Sequence, residues 1–115
     1  MTMKNAAKKS PAALPVSADD FPALQEFLRG YFHEDILDDY GSAAGAVQQF
    51  CEDSDFDQRR AVANEWELFR RRTKDQPVDA VNRLLTESLG SAFTFSSLDE
   101  VKKISSIFAK NARPD

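Results

Sequence analysis

The sequence of 115 residues is poor in the residue types that build catalytic and metal sites. It has one cysteine, Cys51, and one histidine, His33. A single cysteine excludes an intramolecular disulfide and a cysteine-based zinc site, and this suits a reducing compartment. There is no glycine-rich phosphate loop, and Cys51 falls on the apolar face of a predicted helix, where a thiol is a core residue rather than a nucleophile. We therefore expect no enzyme, no cofactor and no small-molecule substrate.

Long apolar runs are also missing. No stretch approaches the roughly 18 apolar residues that identify a membrane span. Near the N-terminus, three lysines precede a short stretch that Pro11 and Pro15 interrupt, so the apolar core of a signal peptide is absent. We expect a cytoplasmic protein that does not bind a membrane.

Positive charge is scarce in the central part of the chain. Residues 19–101 contain 18 acidic and 8 basic residues, and no Lys or Arg falls between Tyr31 and Gln58. That window holds eight acids, Glu34, Asp35, Asp38, Asp39, Glu52, Asp53, Asp55 and Asp57. Grouped like charges destabilise a compact state, so a surface that meets a basic partner explains the grouping, with Tyr40 as an aromatic contact beside it. An acidic surface also disfavours direct binding of nucleic acid, which requires cations against phosphates.

Three other interpretations of charged residues are weaker. His33 with the neighbouring acids could suggest a metal site, but one histidine is poor for zinc and the stretch lacks the glycine of a calcium loop. Residues 70–74, Arg-Arg-Arg-Thr-Lys, could bind nucleic acid, but cations are also favoured at the C-terminus of a helix. Single acids have structural uses too, such as capping by Asp55. We expect no metal and no nucleic-acid site.

Apolar spacings of three and four predict five helices. We expect them to begin near Asp20, Ser42, Asp55, Pro77 and Ser97. Asp55 and Gln58 have the spacing of a capping box. The predicted fold is all-α, a single compact bundle of about five helices. Its predicted organisation is a disordered N-terminal tail at 1–18, a helical domain at 19–110 and a frayed C-terminus at 111–115.

A family resemblance rests on two short stretches. Residues 27–35, Phe-Leu-Arg-Gly-Tyr-Phe-His-Glu-Asp, and residues 39–42, Asp-Tyr-Gly-Ser, resemble the signature of small α-helical immunity proteins from bacterial contact-dependent growth inhibition systems, the CdiI type. The resemblance covers residues 21–108 and is sharp over 27–42. It implies a protein that neutralises the C-terminal domain of a large toxin, often a nuclease, by stoichiometric binding.

The resemblance leaves the roles of individual residues open. It carries over six motif positions that either build the shared scaffold or contact the toxin: Tyr31, Phe32, His33, Asp35, Asp39 and Tyr40. Since contacts to one particular toxin should vary between members, we expect the eight acids, with Tyr40, to form the partner-binding surface. The alternative is an acidic helical adaptor or regulator that binds a basic partner other than a toxin.

Overall fold

A computed structural model describes residues 16–112. Residues 1–15 of the predicted tail (1–18) and residues 113–115 of the predicted frayed end (111–115) lie outside the described residues. Within that range the chain forms six α-helices, α1 (Pro22–Tyr31), α2 (Ile36–Tyr40), α3 (Ala43–Asp53), α4 (Phe56–Arg72), α5 (Val78–Arg83) and α6 (Leu98–Asn111). A 3-10 turn, Ala18–Asp20, precedes α1, and a π-helical turn, Leu84–Ser88, extends α5. Residues 16–112 contain no strand, so the all-α prediction is confirmed. No helix of this range has the length and apolar content to cross a bilayer.

Three helices begin at the side chains that the sequence indicates. The Ser42 hydroxyl accepts a hydrogen bond from the Gly45 backbone N–H (3.0 Å) at the start of α3. The Ser97 hydroxyl accepts one from Glu100 (3.3 Å) at the start of α6. The capping box of α4 is complete, because Asp55 accepts from the Gln58 N–H (2.8 Å) while the Gln58 side chain accepts from the Asp55 N–H (3.1 Å). These caps satisfy backbone donors that a helix N-terminus leaves unpaired.

Removing the capping box should destabilise the domain by a measurable amount. We expect Asp55→Ala to lower the free energy of unfolding by about 1 kcal/mol, since a backbone donor of α4 loses its acceptor. Asp57→Ala is the matched control, because Asp57 is an exposed acid of the same helical turn that caps nothing. Asp57→Ala should lower the free energy of unfolding by about half as much as Asp55→Ala, or less. Urea denaturation of the two variants makes the comparison, and equal losses would contradict the role of the cap.

The start of α1 differs from the prediction. Asp20 does not cap α1: it ends the 3-10 turn, and its carboxylate accepts a hydrogen bond from Arg72 of α4 (2.8 Å). The acceptor at this helix end comes from elsewhere in the sequence, because the Glu65 carboxylate on α4 accepts from the Leu24 N–H (2.8 Å). A tertiary contact therefore replaces the local cap that the sequence suggested.

The short helix α2 was not predicted. It ends at Gly41, whose φ of 80° is a left-handed conformation that glycine adopts without steric cost. Its last carbonyl, that of Tyr40, lies so close to Gly45 that a Cβ atom there would collide with it. The two glycines thus allow α2 to turn directly onto the first turn of α3, which places Tyr40 beside the bundle.

Aromatic rings form the centre of the core. The Phe27 ring on α1 lies 5.0 Å from Phe50 of α3 and 5.4 Å from Phe108 of α6, measured between ring centroids. Trp66 of α4 lies 5.8 Å from the same Phe108 ring. All four side chains are buried. Burial of rings from four helices at one point supplies the apolar contact that holds a bundle of short helices together.

Hydrogen bonds from α4 fix its orientation against the rest of the bundle. The Trp66 indole N–H donates to the Ser105 hydroxyl of α6 (2.8 Å). The Arg59 guanidinium donates to the backbone carbonyls of Cys51, Ser54 and Asn111, which lie at the ends of α3 and α6. Since Glu65 of α4 also accepts a hydrogen bond from α1, α4 is hydrogen-bonded to three of the other five α-helices of residues 16–112, namely α1, α3 and α6.

Candidate partner-binding surface

The eight acids between Tyr31 and Gln58, here called the acidic face, are all exposed to solvent. Three of them have internal partners: Asp39 pairs with His33, Asp53 with Tyr31 and Gln49, and Asp55 with the α4 N-terminus. Among residues 16–112, no side chain forms a hydrogen bond or an ion pair with the carboxylates of the other five. Those five are Glu34, Asp35, Asp38, Glu52 and Asp57. Five full negative charges are thus free to face a partner.

Tyr31 lies between α2 and the C-terminus of α3, two elements that carry acids of the acidic face. Its hydroxyl donates to the Asp53 carboxylate at the C-terminus of α3 (2.9 Å). Its ring stacks on Tyr40 of α2, with centroids 5.7 Å apart, and meets the buried Phe50 ring edge-on at 5.5 Å. Tyr31 therefore joins Asp53, at the C-terminus of α3, to Tyr40 of α2, although α3 separates the two in the sequence.

The environment of Tyr31 raises the pKa of its phenol to about 12, first through burial and then through the hydrogen bond to Asp53 and the charge of that carboxylate. The folded protein thus prefers the protonated phenol more than the unfolded chain does. The resulting stabilisation is complete below about pH 10, the unfolded value, and is lost as the pH rises to about 12. The hydroxyl remains a donor to Asp53 at physiological pH.

An ultraviolet titration of the phenolate tests this value. The chain has two tyrosines, so the Tyr40→Phe variant reports Tyr31 alone, and we expect ionisation near pH 12. Adding Asp53→Asn should lower that pKa, because the carboxylate charge is gone, without removing the effect of burial. Ionisation near the ordinary pKa of 10 in the Tyr40→Phe protein would contradict the described contact.

His33 organises the segment between α1 and α2. Its Nδ1 accepts a hydrogen bond from the Asp35 N–H (3.0 Å), and its Nε2 lies 3.4 Å from an Asp39 carboxylate oxygen. The ring also packs near Tyr40, 5.9 Å between centroids. Both nitrogens are engaged within the segment, so His33 holds the loop in shape.

Phe32 belongs to the core and not to the surface. Its side chain is 1% exposed and packs against Phe27, Phe93 and Phe95. Among the motif positions Tyr31, Phe32 and His33, Phe32 is therefore structural, while Tyr31 and His33 are half-buried beside the acidic face. The sequence alone did not separate these roles, because all three positions fall at the end of one helix.

The structure adds one residue that the sequence did not single out. Leu37 on α2 is 59% exposed, the one large apolar side chain of residues 16–112 with such exposure. It lies between Ile36, which is buried, and the acids Asp38 and Asp39. A helix of five residues is too short for apolar periodicity to reveal which of two adjacent aliphatic residues faces solvent.

Two arginines of the basic run at the C-terminus of α4, and the cysteine, have structural contacts. Arg70 donates to the Thr73 hydroxyl (2.8 Å), and burial lowers the pKa of its guanidinium. Arg72 bonds to Asp20 and lies over the Phe21 ring, 5.6 Å from its centroid. Cys51 is 7% exposed, and burial raises the pKa of its thiol, which keeps it protonated. The prediction of a core cysteine is confirmed.

A small helical bundle with an exposed acidic face, an aromatic row and one exposed leucine has the features of a protein-binding module. The comparison with known families agrees, since the model of the CdiI immunity protein family matches residues 20–101. The chain belongs to this family, as its motif around Tyr31–Asp35 indicated. Membership indicates a toxin-neutralising immunity protein, of a family that is generally non-catalytic. Neither a curated protein nor a solved structure matches the chain.

Proposed function

We propose that the protein neutralises the C-terminal nuclease domain of its cognate toxin by stoichiometric binding through the acidic face, in the cytoplasm and without a cofactor. The observation that supports this most directly is the exposure of five carboxylates that no side chain of residues 16–112 pairs. A nuclease must present cations to the phosphates of its substrate. Carboxylates directed at those cations would compete with the substrate and accelerate encounter by steering.

The same surface offers apolar contacts for affinity. Charged groups at an interface contribute more to association rate and specificity than to affinity, whereas buried aromatic and aliphatic side chains supply most of the binding energy. Tyr40 is half-buried and Leu37 is exposed, and both lie on α2 among the acids. We propose these two side chains as the centre of the interface, with the carboxylates around them.

Calorimetry with the C-terminal domain of the toxin encoded immediately upstream tests the proposal. We expect tight one-to-one binding that weakens as salt is added, because salt screens exposed charges. Tight binding that is indifferent to salt would retain the immunity function but move the contact away from the acids. No binding between a folded protein and an active toxin domain would refute the proposed partner and favour an adaptor for another basic protein.

A further inference from the structure

A groove of about 310 Å³ lies between α1, the C-terminus of α3 and the first turns of α4. Phe27, Tyr31 and Phe50 line it with aromatic rings, and the alanines at 23 and 61 leave it open. Two carboxylates, Glu26 and Asp53, also line it, and no Lys or Arg does. The groove thus brings together two negative charges from different helices, next to the buried rings of Phe27 and Phe50.

Both carboxylates have free capacity to accept hydrogen bonds. Glu26 is exposed, and its carboxylate has no hydrogen bond or ion pair to any of residues 16–112. Asp53 accepts from Tyr31 (2.9 Å) and Gln49 (2.8 Å), but a carboxylate can accept about four hydrogen bonds. The Tyr31 hydroxyl donates its hydrogen to the Asp53 carboxylate, so the lone pairs of its oxygen can accept a hydrogen bond. Each of these three groups can therefore accept at least one further hydrogen bond.

This combination is complementary to a guanidinium group. Arginine presents five donors in a plane that pairs with carboxylates in a bidentate geometry. Hydrogen bonds between an arginine and a carboxylate are about twice as strong as those between neutral groups. Resting on the proposed function, we propose that the groove bounded by Glu26, Tyr31, Phe50 and Asp53 receives one arginine side chain of the toxin domain.

Two substitutions test the groove in calorimetry of the full chain with the toxin domain. Glu26→Gln removes one charge at a residue without internal contacts, and we expect binding to weaken about tenfold, the equivalent of about 1.4 kcal/mol. Ala61→Leu narrows the groove without changing charge, and we expect a loss of at least about tenfold. Unchanged affinity in both variants, with tight binding by the native chain, would overturn the groove proposal and leave the proposed function intact.

Matched controls come from a different groove of the bundle, which lies between α4 and α6. It is lined by Glu67 and Ala109, and it also contains Arg70, which disfavours a cation. Glu67→Gln and Ala109→Leu repeat the same chemical changes there. We expect affinities within about twofold of the native chain, since both grooves belong to one bundle but only one has acids without a base. An equal loss in the controls would also overturn the proposal.

A second measurement does not depend on the toxin. N-acetyl-arginine methylamide is titrated into the full chain, and the resonances of the protein are followed by nuclear magnetic resonance. The uncharged citrulline analogue is the control compound. We expect the arginine derivative, and not the citrulline one, to shift the resonances of Glu26, Tyr31 and Asp53. Shifts of equal size at the distant acids Asp75 and Asp79, or from both probes, would overturn the proposal. If the toxin domain does not bind at all, this titration still decides the groove by itself.

Discussion

Replacing Phe27 with alanine is expected to lower the free energy of unfolding by about 3–5 kcal/mol, the usual cost of removing a buried phenylalanine ring. The Phe27 ring is 3% exposed. Besides Phe50 and Phe108, it contacts Tyr31 at 5.5 Å and Phe32 at 5.2 Å between centroids. Truncation leaves a cavity among four rings from different parts of the chain. Since a domain is stable by about 5–15 kcal/mol, the loss is a large fraction of the total.

Urea denaturation followed by the fluorescence of Trp66, the single tryptophan, measures this loss. Phe56→Ala is the matched control, because Phe56 is half-buried in the first turn of α4 and its ring contact is with Arg59, at 5.9 Å. We expect a cost of about 1 kcal/mol there, as for most single substitutions. Similar losses in the two variants would contradict the placement of Phe27 at the centre of the core.

Reversing charge on the acidic face should slow association with the toxin domain by about 10- to 1,000-fold at low salt. The variant changes Glu34, Asp38, Glu52 and Asp57 to lysine. None of the four carboxylates has a hydrogen bond to the described residues, so the fold should tolerate the change, whereas reversal of Asp55 would remove the α4 cap. Each reversal adds two charges, which takes the net charge from -4 to +4.

Rapid-mixing measurements of the association rate at several salt concentrations provide the test. The control variant reverses Glu67, Asp75, Asp79 and Glu87, which lie outside the acidic face and are also exposed. It has the same net charge, but we expect a much smaller decrease, because steering depends on the local field at the contact surface. Equal rates for the two variants would mean that net charge alone matters, and the proposed contact surface would be wrong.

The features that sequence predicts best are those that depend on neighbours within one turn. Ser42, Ser97 and the Asp55–Gln58 pair act within three residues, so their patterns are visible without a structure. The exposure of the eight acids follows in the same way, because burial of unpaired charge is costly. The motif around Tyr31 also led to the correct family.

The features that sequence misses depend on contacts between distant residues. Asp20 has the residue type of a cap, but Arg72, 52 positions away, competes for its carboxylate. Tyr31 of α1 and Asp53 of α3 are 22 positions apart in the sequence. Glu26, also of α1, lines the same groove as Asp53. Local patterns place each residue on a helix but do not show which helices lie side by side. The groove was therefore found only in the structure.

The capping of α1 by Glu65 has a consequence for protein synthesis. Residues 34–57, which carry the acidic face, leave the ribosome before Glu65, and well before Phe108 supplies the ring that closes the core. A nascent chain that ends within α4 therefore displays the acids without the framework that holds them in register. We therefore expect binding through the acidic face to require that α6 has been synthesised and has packed against α1.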